Sequence, residues 1–214
     1  MRPYLKDPET IYARSFAIVR REARLDRFDP DMVQLATRVI HACGMPDIAD
    51  RIVFSPGAGE TGRKALATGA PILCDCEMVS AGISHARLPL NNDVIVTLND
   101  RSVPALARES RTTRSAAAVD LWRDRIDGAV AVIGNAPTAL FRLLERLDDG
   151  WPKPAVILGF PVGFIGASDS KTELASNPRG CEFVALLGRR GGSAMASAAV
   201  NALAEHSRGV GNGE

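Results

Sequence analysis

The sequence predicts a three-layer α/β/α domain with a mainly parallel central sheet, on three observations. Short apolar runs rich in Val and Ile recur from residue 52 onward, helical segments lie between most of them, and glycine-bearing loops follow three of the runs. Near-continuous apolar strands alternating with helices belong to a sheet covered on both faces.

The elements follow in order. Asp7-Pro8-Glu9 reads as a helix start: Asp as N-cap, Pro at the first helical position, an acid in the first turn. Tyr12, Phe16, Val19 and Ala23 then recur at helical spacing, the stripe of a helix packed on a core. Asp29-Pro30-Asp31 repeats the start signal, and Met32, Ala36, Val39 and Cys43 form one face of a second helix. Gly44 stops that helix and Pro46 prevents its continuation, which puts His41 in the last turn. These two helices are expected to extend the layered domain.

The expected strands are Ile52-Val53-Phe54, Pro71 to Cys74, Val94 to Leu98, Ala129 to Ile133, Ala155 to Leu158 and Phe183 to Leu187. Between them, Thr113 to Ile126 and Pro137 to Leu147 read as helices. One domain over residues 1–206 is expected, followed by a loose Gly-rich tail at 207–214.

Composition narrows the function. With 46% hydrophobic and 24% charged residues, the chain can build a core without disulfides or metals. A net charge of +1 gives no electrostatic case for nucleic acid or an anionic membrane. No stretch approaches the ~20 apolar residues of a membrane span, and Met1 to Glu9 lacks an apolar signal core, so a cytoplasmic location is expected. Cys43, Cys74, Cys76 and Cys181 read as buried free thiols, since Cys74 and Cys76 lack the usual zinc-ligand spacing.

The chemistry is expected where the strands end. The glycine-bearing loops are Gly134 to Thr138, Gly159 to Gly166 and Gly188 to Ser193, and in a parallel sheet they share the carboxyl edge. Glycine lets backbone N–H groups approach a ligand, and helix N-termini favour its negative charges. The three loops spell no dinucleotide or P-loop fingerprint, which counts against a nucleotide-dependent enzyme, although Gly57 to Gly62, after the first expected strand, has the Gly-x-Gly-x-x-Gly spacing. Arg14, Arg111, Arg114, Arg189 and Arg190 would suit a ligand with several carboxylates. Of the three histidines, His206 lies near the chain end and His85 in a short polar connection; His41 stands at a helix C-terminus, where imidazolium is favoured. A histidine so placed can give a proton near neutral pH and take it back, or can serve merely as a cap. The sequence holds no Gly-x-Ser-x-Gly elbow and no His-Glu-x-x-His helix. A single proton handler suits an isomerisation.

Several blocks in order resemble the precorrin-8X methylmutase family. They are Tyr12-Ala13-Arg14-Ser15-Phe16, His41-Ala42-Cys43-Gly44, Gly69 to Asp75, Thr113-Arg114-Ser115-Ala116-Ala117, Gly134 to Leu140, Pro161-Val162-Gly163-Phe164 and Gly191 to Met195. The resemblance covers about Tyr4 to Leu203. It implies an α/β fold, a homodimer, no metal or organic cofactor, and a corrinoid substrate with many carboxylates. The implied reaction is migration of a methyl group from C-11 to C-12 of precorrin-8X, giving hydrogenobyrinic acid, with hand-over between neighbouring pathway enzymes. The implied acid–base residue is His41, and Ser15 is implied to contact substrate. By motif and loop position, substrate contact also extends to Arg14, Thr113, Arg114, Asn135, Thr138, Gly163, Phe164, Arg190, Gly192 and Ser193. The other function the same crevice would serve is a carrier that binds a tetrapyrrole without converting it; turnover beyond one equivalent separates the two.

Overall fold

The computed structural model describes residues 2–206; the tail expected to be loose, 207–214, lies outside them. The chain opens with α1 (Pro8–Glu22) and α2 (Pro30–Cys43), followed by a short 3-10 helix at Pro46–Arg51. Then come β1 (Ile52–Phe54), α3 (Ala58–Ala67), β2 (Ile72–Cys74), α4 (Glu77–Gly82), β3 (Val94–Val96), α5 (Val103–Glu109) and α6 (Arg114–Val119). The remainder is β4 (Val130–Ile133), α7 (Pro137–Asp148), β5 (Val156–Gly159), α8 (Ala167–Ser176), β6 (Glu182–Leu186) and α9 (Ser193–His206).

The strands form one sheet in the order β1-β6-β5-β4-β2-β3. Strands β2 to β6 are parallel, and β1 joins β6 antiparallel, pairing Ile52 with Leu186. Alternate residues along each strand serve opposite faces. Val130, Val132, Val156, Leu158 and Val184 enter one core with α2, α3 and α9. Ala131, Ile133, Ile157 and Ala185 enter the other, against α7 and Trp122. Both faces are therefore sealed, which is why the strands read as unbroken apolar runs.

Both N-terminal helices start as their sequences require. Asp7 accepts the Thr10 N–H at 2.8 Å, and Asp29 accepts the Met32 N–H at 2.9 Å. On α2, Met32, Leu35, Val39 and Ile40 are fully or almost fully buried, each worth about 1.5–3 kcal/mol. Gly44 ends the helix at φ +70°, returning its N–H to Ile40 O at 2.8 Å. A side chain at that φ would be strained.

Two expectations are corrected. The helix expected from Thr113 to Ile126 is shorter: α6 ends at Val119 and tightens into a 3-10 turn over Asp120–Trp122. The tightening puts Trp122 into the core, with its ring N–H on Thr97 Oγ1 at 2.9 Å, and turns Asp120 to Arg142 and Arg146. The apolar stripe of α1 is core only at its C-terminal end. Val19 and Ala23 are buried, Phe16 is half-buried, and Tyr12 is 46% exposed.

Candidate functional site

The carboxyl edge of the sheet carries the loop residues singled out above, while Arg14 and Ser15 lie on α1 and His41 on α2. Strand β1 runs antiparallel, so the segment leading into it reaches that edge too: the Leu187 N–H meets Arg51 O at 2.9 Å. The turn after α2 is tied there by an ion pair, Arg190 to Asp47 at 2.5 Å. This brings the last turn of α2, and His41 with it, beside the β6–α9 loop.

His41 is exposed on the last turn of α2. Its ring stacks on Tyr12, centroids 5.7 Å apart and planes at 30°, and meets Phe16 edge-on at 5.2 Å. Tyr12 and Phe16 are one helical turn apart on α1, so they face α2 together. Below the rings opens a cleft of about 230 Å³, lined by Ser15, Val19, Glu22, Ile40, His41 and Gly44. Ser15 is half-buried there, and Arg14 is exposed on the same helix.

The three glycine loops form a continuous rim, and their backbone donors are largely turned on one another. Gly192 N–H donates to Phe160 O at 2.8 Å, Gly163 N–H to Arg189 O at 3.1 Å, and Val162 N–H to Asn135 O at 3.4 Å. Gly191 lies so close to the neighbouring loop that a Cβ there would sit 2.3 Å from Phe160 O. In the β4–α7 loop, the buried Asp75 carboxylate accepts the N–H groups of Gly134, Asn135 and Ala136 at 2.9, 2.9 and 2.8 Å. Burial pushes this carboxyl up from its ordinary range, and the three backbone bonds pull it back. The expectation that glycine-loop amides cradle a ligand anion is thus corrected for these groups. An internal carboxylate and facing carbonyls already hold them.

The candidate side chains are spread along the edge. Thr113 caps α6, accepting the Ala116 N–H at 3.1 Å, and its hydroxyl lies 2.8 Å from that of Thr138. The exposed Arg114 donates to Leu98 O at 3.2 Å and Asn99 Oδ1 at 3.1 Å, just past β3. Asn135 is exposed on the rim. Phe164 is 86% exposed, with the Arg189 guanidinium 5.4 Å from its ring centre. Gly163 and Gly192 take φ of +143° and +126°. Ser193 departs from expectation: it is buried, with its hydroxyl 3.5 Å from Cys76 Sγ, so its side chain faces inward. Arg190, in the loop after β6, and Arg114, bonded to the segment just past β3, belong to strands four places apart in the sheet. A ligand engaging both must be large and many-armed.

The cysteines are free thiols; Cys74, Cys76 and Cys181 are buried and Cys43 is half-buried. Burial pushes all four thiols up. Among the described residues no group of three or more His, Cys, Asp or Glu side chains is placed to hold a metal ion.

A family model for precorrin-8X methylmutase matches residues 10–206. The chain belongs to the precorrin-8X methylmutase family. It is 60% identical over 201 residues to a precorrin-8X methylmutase of Pseudomonas aeruginosa, covering 94% of this chain and 97% of the relative. A cobalt-precorrin-8 methylmutase of Salmonella typhimurium is 39% identical over 212 residues, covering 96% and 98%. The crystal structure of a precorrin-8X methylmutase from Thermus thermophilus superposes with a TM-score of 0.84 at 36% identity, covering 93% of this chain and 96% of that one. As a member of this family, the chain is an isomerase of cobalamin biosynthesis acting on a corrinoid.

Three residues beside His41 or beneath the rim loops were not singled out by sequence reasoning. Asp75 had a signal, an acid directly after a buried strand at the functional edge. Tyr12 read as core because its spacing matches a packed stripe. Lys171, fully buried on α8, sits in the polar run Asp169-Ser170-Lys171-Thr172-Glu173, which looks like a solvated face.

Proposed function

We propose that this chain moves the C-11 methyl group of precorrin-8X to C-12, giving hydrogenobyrinic acid, by an acid–base assisted 1,5-sigmatropic shift with His41 as the proton donor and acceptor. The observation that carries this reading is the setting of His41. It is solvent-accessible, packed against two aromatic rings that also touch each other, and opens on the cleft between α1 and the end of α2. A proton given to a macrocycle nitrogen draws electron density from the ring and eases migration of the methyl group. When the shift is complete the proton returns to His41, so the reaction balances without a co-reactant. A positioned proton transfer of this kind is worth about a hundred-fold to ten-thousand-fold.

The peripheral carboxylates of the substrate are assigned to Arg14, Arg114 and Arg190, with Ser15, Thr113, Asn135 and Thr138 as hydrogen-bonding contacts and Gly163, Phe164 and Gly192 against the macrocycle. The substrate is the cobalt-free precorrin; the higher identity to the relative named for precorrin-8X than to the one named for cobalt-precorrin-8 supports this. The working unit is a homodimer of single-domain subunits, residues 1–206. Exposed Ile11, Tyr12 and Ile18 on α1 support pairing, since apolar residues grouped on one helix suit a partner. The enzyme is cytoplasmic and passes its product to a neighbouring pathway enzyme; no helix among the described residues is long and apolar enough to cross a membrane.

The test is to incubate the purified protein with excess precorrin-8X and follow the absorption change to hydrogenobyrinic acid. Product well beyond one equivalent per subunit is expected. Conversion that stops at or below one equivalent would make the protein a carrier. Sedimentation at micromolar concentration should give a dimer, and a fully active monomer would remove that part of the reading.

A further inference from the structure

Lys171 is fully buried, and its ammonium donates to Pro161 O at 2.9 Å and to Arg190 O at 2.6 Å. Among the described residues no carboxylate pairs with it, and burial brings its pKa down to about 8. An unpaired buried charge is costly, so a mere filler of this space would be apolar. The two carbonyls it joins belong to different loops, the one after β5 and the one after β6. Pro161 lies three residues before Phe164, and Arg190 carries both the carbonyl and the guanidinium that meets Asp47. The same two loops are stitched by Gly163 N–H to Arg189 O and Gly192 N–H to Phe160 O.

We propose that Lys171 is a positioning residue for the corrinoid site: its buried ammonium clamps the β5–α8 loop to the β6–α9 loop and so fixes the spacing at which Phe164 and Arg190 meet the substrate. The clamp acts from beneath the rim and touches no ligand. The last clause rests on the corrinoid reading above; the clamp itself does not. It sets binding and leaves the proton transfer at His41 alone.

The experiment compares wild type with Lys171→Met, which keeps the volume and removes the donors, and Lys171→Gln, which keeps two N–H donors without charge. Amide hydrogen exchange without ligand reads the clamp. In Lys171→Met, Gly163 and Gly192 should exchange at least about tenfold faster, with β4 and α7 unchanged, and Lys171→Gln should fall between. Spectral titration with hydrogenobyrinic acid reads the site. Affinity should drop about tenfold or more in Lys171→Met and less in Lys171→Gln, while the single-turnover rate at saturating precorrin-8X stays within about threefold. Exchange that rises equally across the whole molecule, or that stays unchanged in both loops, would overturn the clamp. Loosened loops with unchanged product affinity would overturn its role in binding. Should Lys171→Met fail to fold, Lys171→Gln carries the same two readings. If wild type itself binds no corrinoid, the corrinoid reading has failed, and the exchange data still decide the clamp.

Discussion

His41 reaches its place on the last turn of α2, packed against two rings of α1 and open to solvent, whereas the rim loops after β4, β5 and β6 are fixed by two charges sealed inside the domain. Beyond the packing of α2 in the core, the turn that follows it is tied to the rim by the Arg190–Asp47 pair, whose side chains are 46% and 60% exposed, so solvent and salt screen it. The rim itself is held by Asp75 on three backbone N–H groups and by Lys171 on two carbonyls. The difference separates two tasks. A frame that reads a large ligand gains from having its geometry settled before the ligand arrives. A group that exchanges a proton with the ligand must stay accessible. On the proposed reading, rigidity is built with buried charge where the ligand would be recognised, and access is kept at the proton-exchanging group.

The largest effect should come from the accessible region. His41→Asn keeps a donor and an acceptor of similar reach but exchanges no proton near neutral pH. Its single-turnover rate with precorrin-8X should fall about a hundred-fold to ten-thousand-fold, with product affinity and unfolding midpoint close to wild type. A near-normal rate would reduce His41 to a helix cap and leave methyl migration to the shape and charge of the crevice.

In the rim, Asp75→Ala strands three backbone N–H groups that the carboxylate now satisfies. The expected loss is about 3 kcal/mol of unfolding free energy, read by urea denaturation, with weaker corrinoid binding because Asn135 and Thr138 ride on that loop. Unchanged stability would mean that the loop finds other partners and that the rim is not preset.

Lys171 gives a pH test of the same contrast. Its folded pKa is depressed, from the usual 10.5 to about 8, so the folded state releases this proton before the unfolded chain does. Between pH 8 and 10.5 the unfolded state binds more protons, and stability attributable to this residue must rise with pH. The rise integrates to roughly 3 kcal/mol at most. Subtracting the urea-unfolding profile of Lys171→Met removes the contribution of other groups titrating there; a flat difference would contradict the buried charge. Below that window the desolvation cost and the two carbonyl bonds oppose each other, so near neutral pH the variant should lose little stability.

The smallest of these effects is at the far end of the edge. Arg114→Ala should weaken corrinoid binding by about 1.5–3 kcal/mol, as expected for one charge-assisted pair. Arg114→Lys should recover only part, because an ammonium cannot form the two-bond planar contact. Unchanged affinity in the alanine variant would place Arg114 outside the site and shorten the recognising edge toward β4.

Residues whose neighbours are close in sequence were legible from the start. The caps Asp7 and Asp29, the stop at Gly44 and the place of His41 one turn before it follow from local rules, and the structure has them. The six strands lie within the expected runs to within two residues at each end, because sealing on both faces writes a continuous apolar signature. The gathering of the strand-to-helix loops at the carboxyl edge follows from parallel topology. The inward turn of Ser193 and the exposure of Tyr12 were not legible, since a hydroxyl in a Gly-rich loop and an aromatic on a stripe look the same whichever way they face.

By itself the sequence determined the layered fold, the edge at which the loops gather, the helix end that presents His41, and, through blocks spread over nearly the whole chain, the family. Tertiary structure alone decided which charges are sealed in and what the loop amides do. Asp75 finds Gly134 across 59 residues, and Lys171 finds Arg190 across 19. Whether a carboxylate or an ammonium is solvated or buried depends on what the sheet and helices bring over it. Local spacing carries helix and strand periods but not the partners that lie on other elements, so a lysine in a polar run reads as surface until the loops close above it.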